Sequence, residues 1–258
     1  MNKHLLIIDA LNLIRRIYAV DSNQSNQEEL AIKNAINRVE RAVSKLLKQT
    51  IPSHAIAVFD GENSWRYQFY PDYKLNRKPM PEVLQTNLTH FAKQLTNLGV
   101  ISYFPQEDEA DDVIATLADK AAKQHINSTI VSTDKGFLPL LNQHIQVYDY
   151  FTAQYVSDKT IFDKFSVNKN QLTEFWALAG DPTNDIPGVK GIGKKTAQTL
   201  LAQYPSVTHA LASTELNEKI RLKIESELNQ YVISKTLATL RVDLPLGFSL
   251  KDLRLKRA

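Results

Sequence analysis

Carboxylates stand where short apolar runs end. Asp9 follows His4–Ile8, Asp60 follows His54–Phe59, Asp134 follows Ser128–Ser132, and Val100–Phe104 leads into Glu109-Ala110-Asp111-Asp112. One such Asp alone is what a helix N-cap or a turn uses. Several converging on one edge would repel and raise each other's pKa unless a cation neutralised them. Oxygen-only donors suit a hard octahedral ion, Mg2+ or Mn2+. His4, His54, His90, His125, His144 and His209 are scattered without zinc-like spacing, and zero cysteines exclude thiol nucleophiles, zinc ribbons, iron–sulfur clusters and disulfides. Such an ion activates water and stabilises charge on a phosphoryl oxygen, so phosphodiester hydrolysis is the indicated chemistry. A haloacid-dehalogenase-type nucleophile is excluded, because the second Asp it needs is replaced by Leu11.

A second constellation is basic. In the run Gly180 to Ala197, Gly191 and Gly193 permit a tight turn, and the helix that follows presents its N-terminal amides with Lys190, Lys194, Lys195 and Thr196 to a phosphate. Upstream, Arg66, Tyr67, Tyr70, Tyr73, Lys74, Arg77 and Lys78 interleave rings with cations, a mixture suited to single-stranded nucleic acid. Pro71, Pro79 and Pro81 keep that stretch from forming one long helix.

The apolar runs read as buried strands, with a fifth at Ile145–Tyr150, and helical periodicity over Glu28–Gln49, Glu82–Leu98 and Glu109–Lys123 alternates with them. That alternation predicts an α/β fold with a mostly parallel central sheet flanked by helices, and ligands bind outside the carboxyl ends of such strands. Past Phe151 helices dominate: Asn170–Ala179, Lys194–Gln203, Asn217–Gln230 and a shorter one near Ile233–Leu240. Residues 188–258 hold 12 Lys or Arg against 6 Asp or Glu, whereas the whole 258-residue chain carries only +3, so bases and acids are segregated. Such asymmetry fits a carboxylate site joined to a polyanion-binding region. No run of ~18 apolar residues occurs, and with no cysteine a cytoplasmic, unexported protein without membrane association is expected.

The stretches Leu6-Ile7-Ile8-Asp9, Val58-Phe59-Asp60, Tyr70-Pro71-Asp72-Tyr73-Lys74-Leu75-Asn76-Arg77, Glu109-Ala110-Asp111-Asp112, Ser132-Thr133-Asp134-Lys135 and Ile186-Pro187-Gly188-Val189-Lys190-Gly191-Ile192-Gly193 occur in that order. Together they resemble the bacterial 5′-nuclease (flap endonuclease) family, which includes the N-terminal nuclease domain of DNA polymerase I. The short chain is most similar to the stand-alone exonuclease IX type. The resemblance implies a PIN-like core at 1–165 with an arch region at about 61–98, and a helix-three-turn-helix DNA-binding domain at 166–258. It further implies Asp9, Asp60, Glu109, Asp111 and Asp112 around a first metal, with Asp111 a direct ligand and Asp134 and Asp181 among the metal-site acids. Lys74 and Arg77 would contact the scissile phosphate, and Tyr73, Lys190, Gly191, Ile192, Gly193, Lys194, Lys195 and Thr196 the DNA. Main-chain carbonyls of Leu178, Ala179, Pro187, Val189 and Ile192 would hold K+. The expected partner is DNA with 5′ flaps or 5′ ends, bound by a monomer and cut with Mg2+ or Mn2+.

Two departures from the family pattern bear on the second ion. Gly136 and Asn184 stand where that pattern has Asp, and Asp185 where it has Asn, so a loosely held second ion is expected. A weakly catalytic junction-binding protein is the alternative. A ribonuclease of the related PIN-type fold is a third reading, against which the glycine-rich turn argues.

Overall fold

Alternation along one strand divides the core in two. β1 (His4–Asp9) sends Leu5 and Ile7 to one face of the sheet and Leu6 and Ile8 to the other, as a period of two requires. The computed structural model describes residues 3–24, 27–61 and 63–255. In chain order β1 is followed by α1 (Ala10–Gln24), α2 (Glu28–Thr50), β2 (His54–Val58), α3 (Trp65–Phe69), α4 (Glu82–Thr86), α5 (Leu88–Asn97), β3 (Ile101–Tyr103), α6 (Ala110–Lys123), β4 (Asn127–Val131), β5 (Ile145–Asp149) and β6 (Gln154–Tyr155). The second half contributes α7 (Asp158–Phe165), α8 (Leu172–Ala179), α9 (Lys194–Gln203), α10 (Val207–Ala212), α11 (Glu218–Ser226) and α12 (Leu228–Ala238).

The strands pair in the order β3-β2-β1-β4-β5-β6, all parallel except β6. The chain moves outward from β1 on one side through β2 and β3, then returns to its other side as β4. The crevice between the carboxyl ends of β1 and β4 is therefore a topological switch point, where open α/β sheets bind ligands. Helices α1, α2 and α5 cover the face that carries Leu6 and Ile8. Helix α6 and the second-half helices cover the other, in one apolar cluster running from Leu5 and Ile130 to Trp176, Leu200 and Ile224. Among the described residues no helix is long and apolar enough to cross a membrane.

Several expected boundaries shift. The periodic run Glu82–Leu98 breaks at Asn87, whose side-chain amide donates to the Val83 carbonyl at 2.8 Å, a local bond that competes with the helix ladder. Leu84, Phe91 and Leu95 on the two resulting helices are buried in the core, so these helices pack against the sheet. The run Asn217–Gln230 divides at Glu227, and α12 absorbs the segment expected near 233–240. The chain end returns to the α/β half. Arg241 N–H donates to Asp112, Leu244 accepts from Lys120 Nζ at 2.7 Å, Phe248 packs edge-on to Tyr103, and Leu255 N–H reaches the Ser53 carbonyl at 3.0 Å. Residues 241–255 thus pack along the α/β core.

Candidate metal centre and nucleic-acid interface

The carboxyl ends of the strands bring four acids to one cleft. Asp9, Asp60, Asp111 and Asp134, with Arg15, Arg16 and Arg77, line a cavity of about 240 Å³. Asp9 ends β1 and is fastened across the switch point: its Oδ2 accepts from Ser132 Oγ at 2.8 Å and its Oδ1 from the Asn12 N–H at 3.2 Å. Asp60 accepts the Ala110 N–H at the start of α6, where the helix dipole favours an anion. Asp134 caps the two-turn 3-10 helix at 135–140, accepting the Gly136 N–H at 2.7 Å.

Electrostatics agree with a cation's place. Asp9 is 6% exposed, and burial followed by repulsion from Asp60 pushes its carboxyl up to about 7. Burial and Asp134 raise Asp111 well above the ordinary carboxylate range, against the lowering effect of Lys74. Among the described residues no three acidic or histidine side chains approach one another at the spacing of a closed metal shell. The donor set, hard oxygens only, fits a divalent cation of the magnesium type.

Lys74 approaches Asp111 from a turn after α3. Its backbone is left-handed (φ 55°), its N–H donates to the Asn184 carbonyl at 3.1 Å, and its ammonium lies 2.5 Å from Glu109 Oε1 and 3.9 Å from Asp111 Oδ2. The neighbouring carboxylates hold the buried ammonium protonated more firmly than a free lysine. Asp185 pins this turn, accepting Asn76 N–H and Nδ2 at 2.9 and 3.0 Å, which keeps it away from the metal cleft.

Four expected site residues lie elsewhere. Asp112 is fully buried. Its oxygens accept from both terminal nitrogens of Arg66 (2.7 and 2.8 Å), from Trp65 Nε1 and from the Arg241 N–H, so it faces away from the cleft as the partner of an arginine. Glu109 likewise divides its oxygens between Arg66 and Lys74. Tyr73 is 5% exposed, packed against Ile186 and Leu237, so its ring is not available to stack on a base. Asp181 lines a smaller adjoining cavity, paired with Lys135.

Sequence reasoning missed Arg66 as a structural residue, counting it among surface cations. It is 1% exposed, and its remaining donors go to Glu109, the Leu237 carbonyl and the Thr239 carbonyl. All five guanidinium hydrogens are thereby used, joining α3, α6 and the end of α12. A five-residue helix holding a single arginine carries no pattern that separates this from a surface cation.

In the second half, Gly193 is the N-cap of α9, with Lys190, Gly191, Lys194 and Lys195 exposed, Thr196 half-buried and Ile192 in the core. Lys223 Nζ donates to the Gly191 carbonyl at 2.9 Å, adding a cation to this turn. Before it, Gly180 and Gly188 have positive φ, and a Cβ on Gly188 would lie 2.7 Å from the Leu178 carbonyl oxygen, an approach only glycine permits. Of the five expected carbonyls, those of Leu178 and Val189 accept the Val189 and Ile192 N–H groups at 2.8 and 3.0 Å.

The comparisons agree across the whole chain. Residues 4–170 match the family described as 5′-3′ exonuclease, N-terminal resolvase-like domain, and residues 167–258 the family described as 5′-3′ exonuclease, C-terminal SAM fold. Flap endonuclease Xni of Pseudoalteromonas translucida is 56% identical, the match covering 99% of this chain and 100% of that protein. The protein of the same name from Psychromonas ingrahamii is 46% identical over 97% and 96%. A solved structure of T5 5′-exonuclease with bound zinc shares the fold at a TM-score of 0.77 and 19% identity, covering 92% of this chain and 89% of that one. With the carboxylate cleft at the switch point and both halves of the chain accounted for, this protein belongs to the 5′-3′ exonuclease family.

Proposed function

We propose that the chain is a structure-specific 5′ nuclease that hydrolyses DNA phosphodiesters at 5′ flaps and 5′ ends with Mg2+, for which Mn2+ substitutes. The observation that carries this reading is the meeting of Asp9, Asp60, Asp111 and Asp134 around one cleft beside Lys74 and Arg77. The relatives 56% and 46% identical, each named a flap endonuclease, support the substrate class. A divalent cation held by these four carboxylates would supply Lewis acidity toward a phosphoryl oxygen and lower the pKa of water.

The chain's own residues do the rest. Arg15, Arg16 and Arg77 line the cleft as phosphate-binding cations. Lys74, fixed by Glu109 and by its backbone bond to Asn184, offers a preorganised charge where negative charge develops on the phosphorus oxygens. Lys190, Lys194 and Lys195 with the amides of the α9 start grip the duplex backbone, and contacts of that type carry no base readout. The carbonyls of Leu178, Ala179, Pro187, Val189 and Ile192 would hold K+ at the turn before α9. The protein acts as a monomer in the cytoplasm.

The test is cleavage of a labelled 5′-flap duplex in Mg2+ and in Mn2+, with Asp111→Asn as the comparison. Wild type is expected to release the flap and Asp111→Asn to lose the activity while still binding DNA. Equal, slow cutting by both with tight binding would favour a junction-binding protein, and preferential cutting of RNA a ribonuclease.

A further inference from the structure

Two turns from opposite halves of the chain face each other beside the cleft. One is the turn at 74–77 after α3, and the other is the loop at 181–186 that leads into the lysine-bearing turn before α9. Three hydrogen bonds join them. Lys74 N–H donates to the Asn184 carbonyl at 3.1 Å, and Asn76 donates its backbone N–H to one Asp185 carboxylate oxygen at 2.9 Å and its Nδ2 to the other at 3.0 Å. Lys74 and Asp185 both have left-handed backbones, φ 55° and 53°, which few non-glycine residues adopt. Strain of that kind persists where the surroundings fix it, and here it falls on two of the contact residues.

The loop at 181–186 is closed on itself. Asp181 and Ile186 exchange both backbone hydrogen bonds, at 2.7 and 3.0 Å, and Asn184 Nδ2 donates to Asp181 Oδ2 at 3.0 Å. Beyond it, the Gly188 N–H donates at 3.1 Å to Ser234 Oγ, a fully buried group on α12. Ile186, Gly188 and Val189 are buried, so the short connection from Asp185 to Lys190 has little slack. The loop and the lysine-bearing turn are therefore held as one body.

The facing turn depends on that body unequally. Lys74 has a second hold in Glu109, whose Oε1 lies 2.5 Å from its ammonium. Arg77 has no such hold: among the described residues no acid or carbonyl takes its guanidinium, and its backbone N–H donates to the Lys74 carbonyl at 3.1 Å. Its place in the cleft is thus set by the backbone that Asn76, the residue before it, ties to Asp185.

We propose that Asp185 is a positioning residue that fixes which phosphodiester is cut: through Asn76 it holds the 74–77 turn at a set distance from the lysine-bearing turn, so that a duplex seated on one presents a single phosphate to Arg77 and Lys74 on the other. It touches no reacting atom. The choice of phosphodiester rests on the nuclease reading above, whereas the joining of the two turns does not.

Cutting of a 5′-labelled flap duplex in Mg2+, with products resolved to one nucleotide, reads that choice. Wild type is expected to cut at one position, and Asp185→Ala and Asn76→Ala to spread cuts over neighbouring phosphodiesters and slow the main cut about 10-fold. Flap affinity, measured in the Asp111→Asn background, should be unchanged, because Lys190, Lys194 and Lys195 are untouched. Asn76→Asp combined with Asp185→Asn exchanges the partners: the amide placed at 185 accepts the backbone N–H of residue 76, donates to the carboxylate placed there, and tolerates the left-handed backbone. That double variant should recover the single cut, whereas Asn76→Asp alone, carboxylate against carboxylate, should not. Scattered cutting by wild type, a single cut at the wild-type rate in Asp185→Ala, or no recovery in the exchange variant overturns the proposal, as does a loss of affinity that matches the loss of rate. Wild type that cuts no flap would remove the nuclease reading and the choice of phosphodiester with it. Amide hydrogen exchange tests the joining of the turns separately: Asp185→Ala should speed exchange at Lys74 as well as at Asn76, although the Asn184 carbonyl is unchanged. Exchange at Lys74 as slow as in wild type would overturn that part.

Discussion

Asp9 sits in an environment far from that of an ordinary carboxylate. Folding moves it from water into a buried edge beside Asp60, and its pKa rises from 3.8 to about 7. An acid whose folded pKa lies above its unfolded value binds protons more tightly in the native state. It therefore contributes stability below about pH 4 that is lost as pH rises through about 7. The shift corresponds to on the order of 4 kcal/mol. In metal-free buffer, the melting temperature of wild type relative to Asp9→Asn should fall between pH 4 and 7, and excess Mg2+ should flatten the difference by neutralising the charged form. Parallel melting curves for the two proteins across that range would show that Asp9 is not held as described. The identity of this residue was legible in the sequence because a strand-end Asp is positioned by topology. Its tie to Ser132 Oγ was not, because that bond depends on the pairing of β1 with β4.

Elements join the site together through one arginine. Arg66 on α3 is closed in by Glu109 and Asp112 at the start of α6 and by carbonyls at the end of α12, so the turn that carries Lys74 is set against both halves of the chain. The buried strands and helices α2 and α6 follow from apolar runs and periodicity, with β1, β2, β4, β5 and α2 within a residue or two of their expected limits, whereas the strand order and α1 were not read. Reading fails where local patterns are short or are overridden. Asn87 interrupts a periodic run with a side-chain bond, and α7 and α10, at 8 and 6 residues, offer little period to detect. The motif Glu109-Ala110-Asp111-Asp112 could be seen as acidic, but its division could not. Only the folded geometry sends Asp111 to the cleft and Asp112 to Arg66. Arg66→Met should accordingly cost about 3–5 kcal/mol, because it leaves two buried carboxylates without their partner. Chemical denaturation would measure it, and a loss below about 1 kcal/mol, the scale of an exposed ion pair, would contradict the network.

At the scale of the molecule, charge is segregated to match a polyanion lying across both halves. Acids are concentrated in the cleft of the α/β half, where a cation compensates them, while residues 188–258 carry the excess of bases. Lys190, Lys194 and Lys195 stand exposed where α9 points its N-terminal amides outward. Phosphate contacts of this kind release counterions, so affinity falls linearly on a log scale with salt, by about 0.9 per phosphate neutralised on duplex. Replacing the three lysines with alanine should make the dependence of log K on log NaCl concentration shallower by about 2 to 3. Asp111→Asn is the suitable background, since cleavage then does not compete with binding. The change should be the same on flap duplexes of unrelated sequence, because backbone contacts position DNA without reading it. An unaltered slope would mean that the lysine-bearing turn faces solvent in the complex. A change confined to one sequence would mean that this turn reaches base edges.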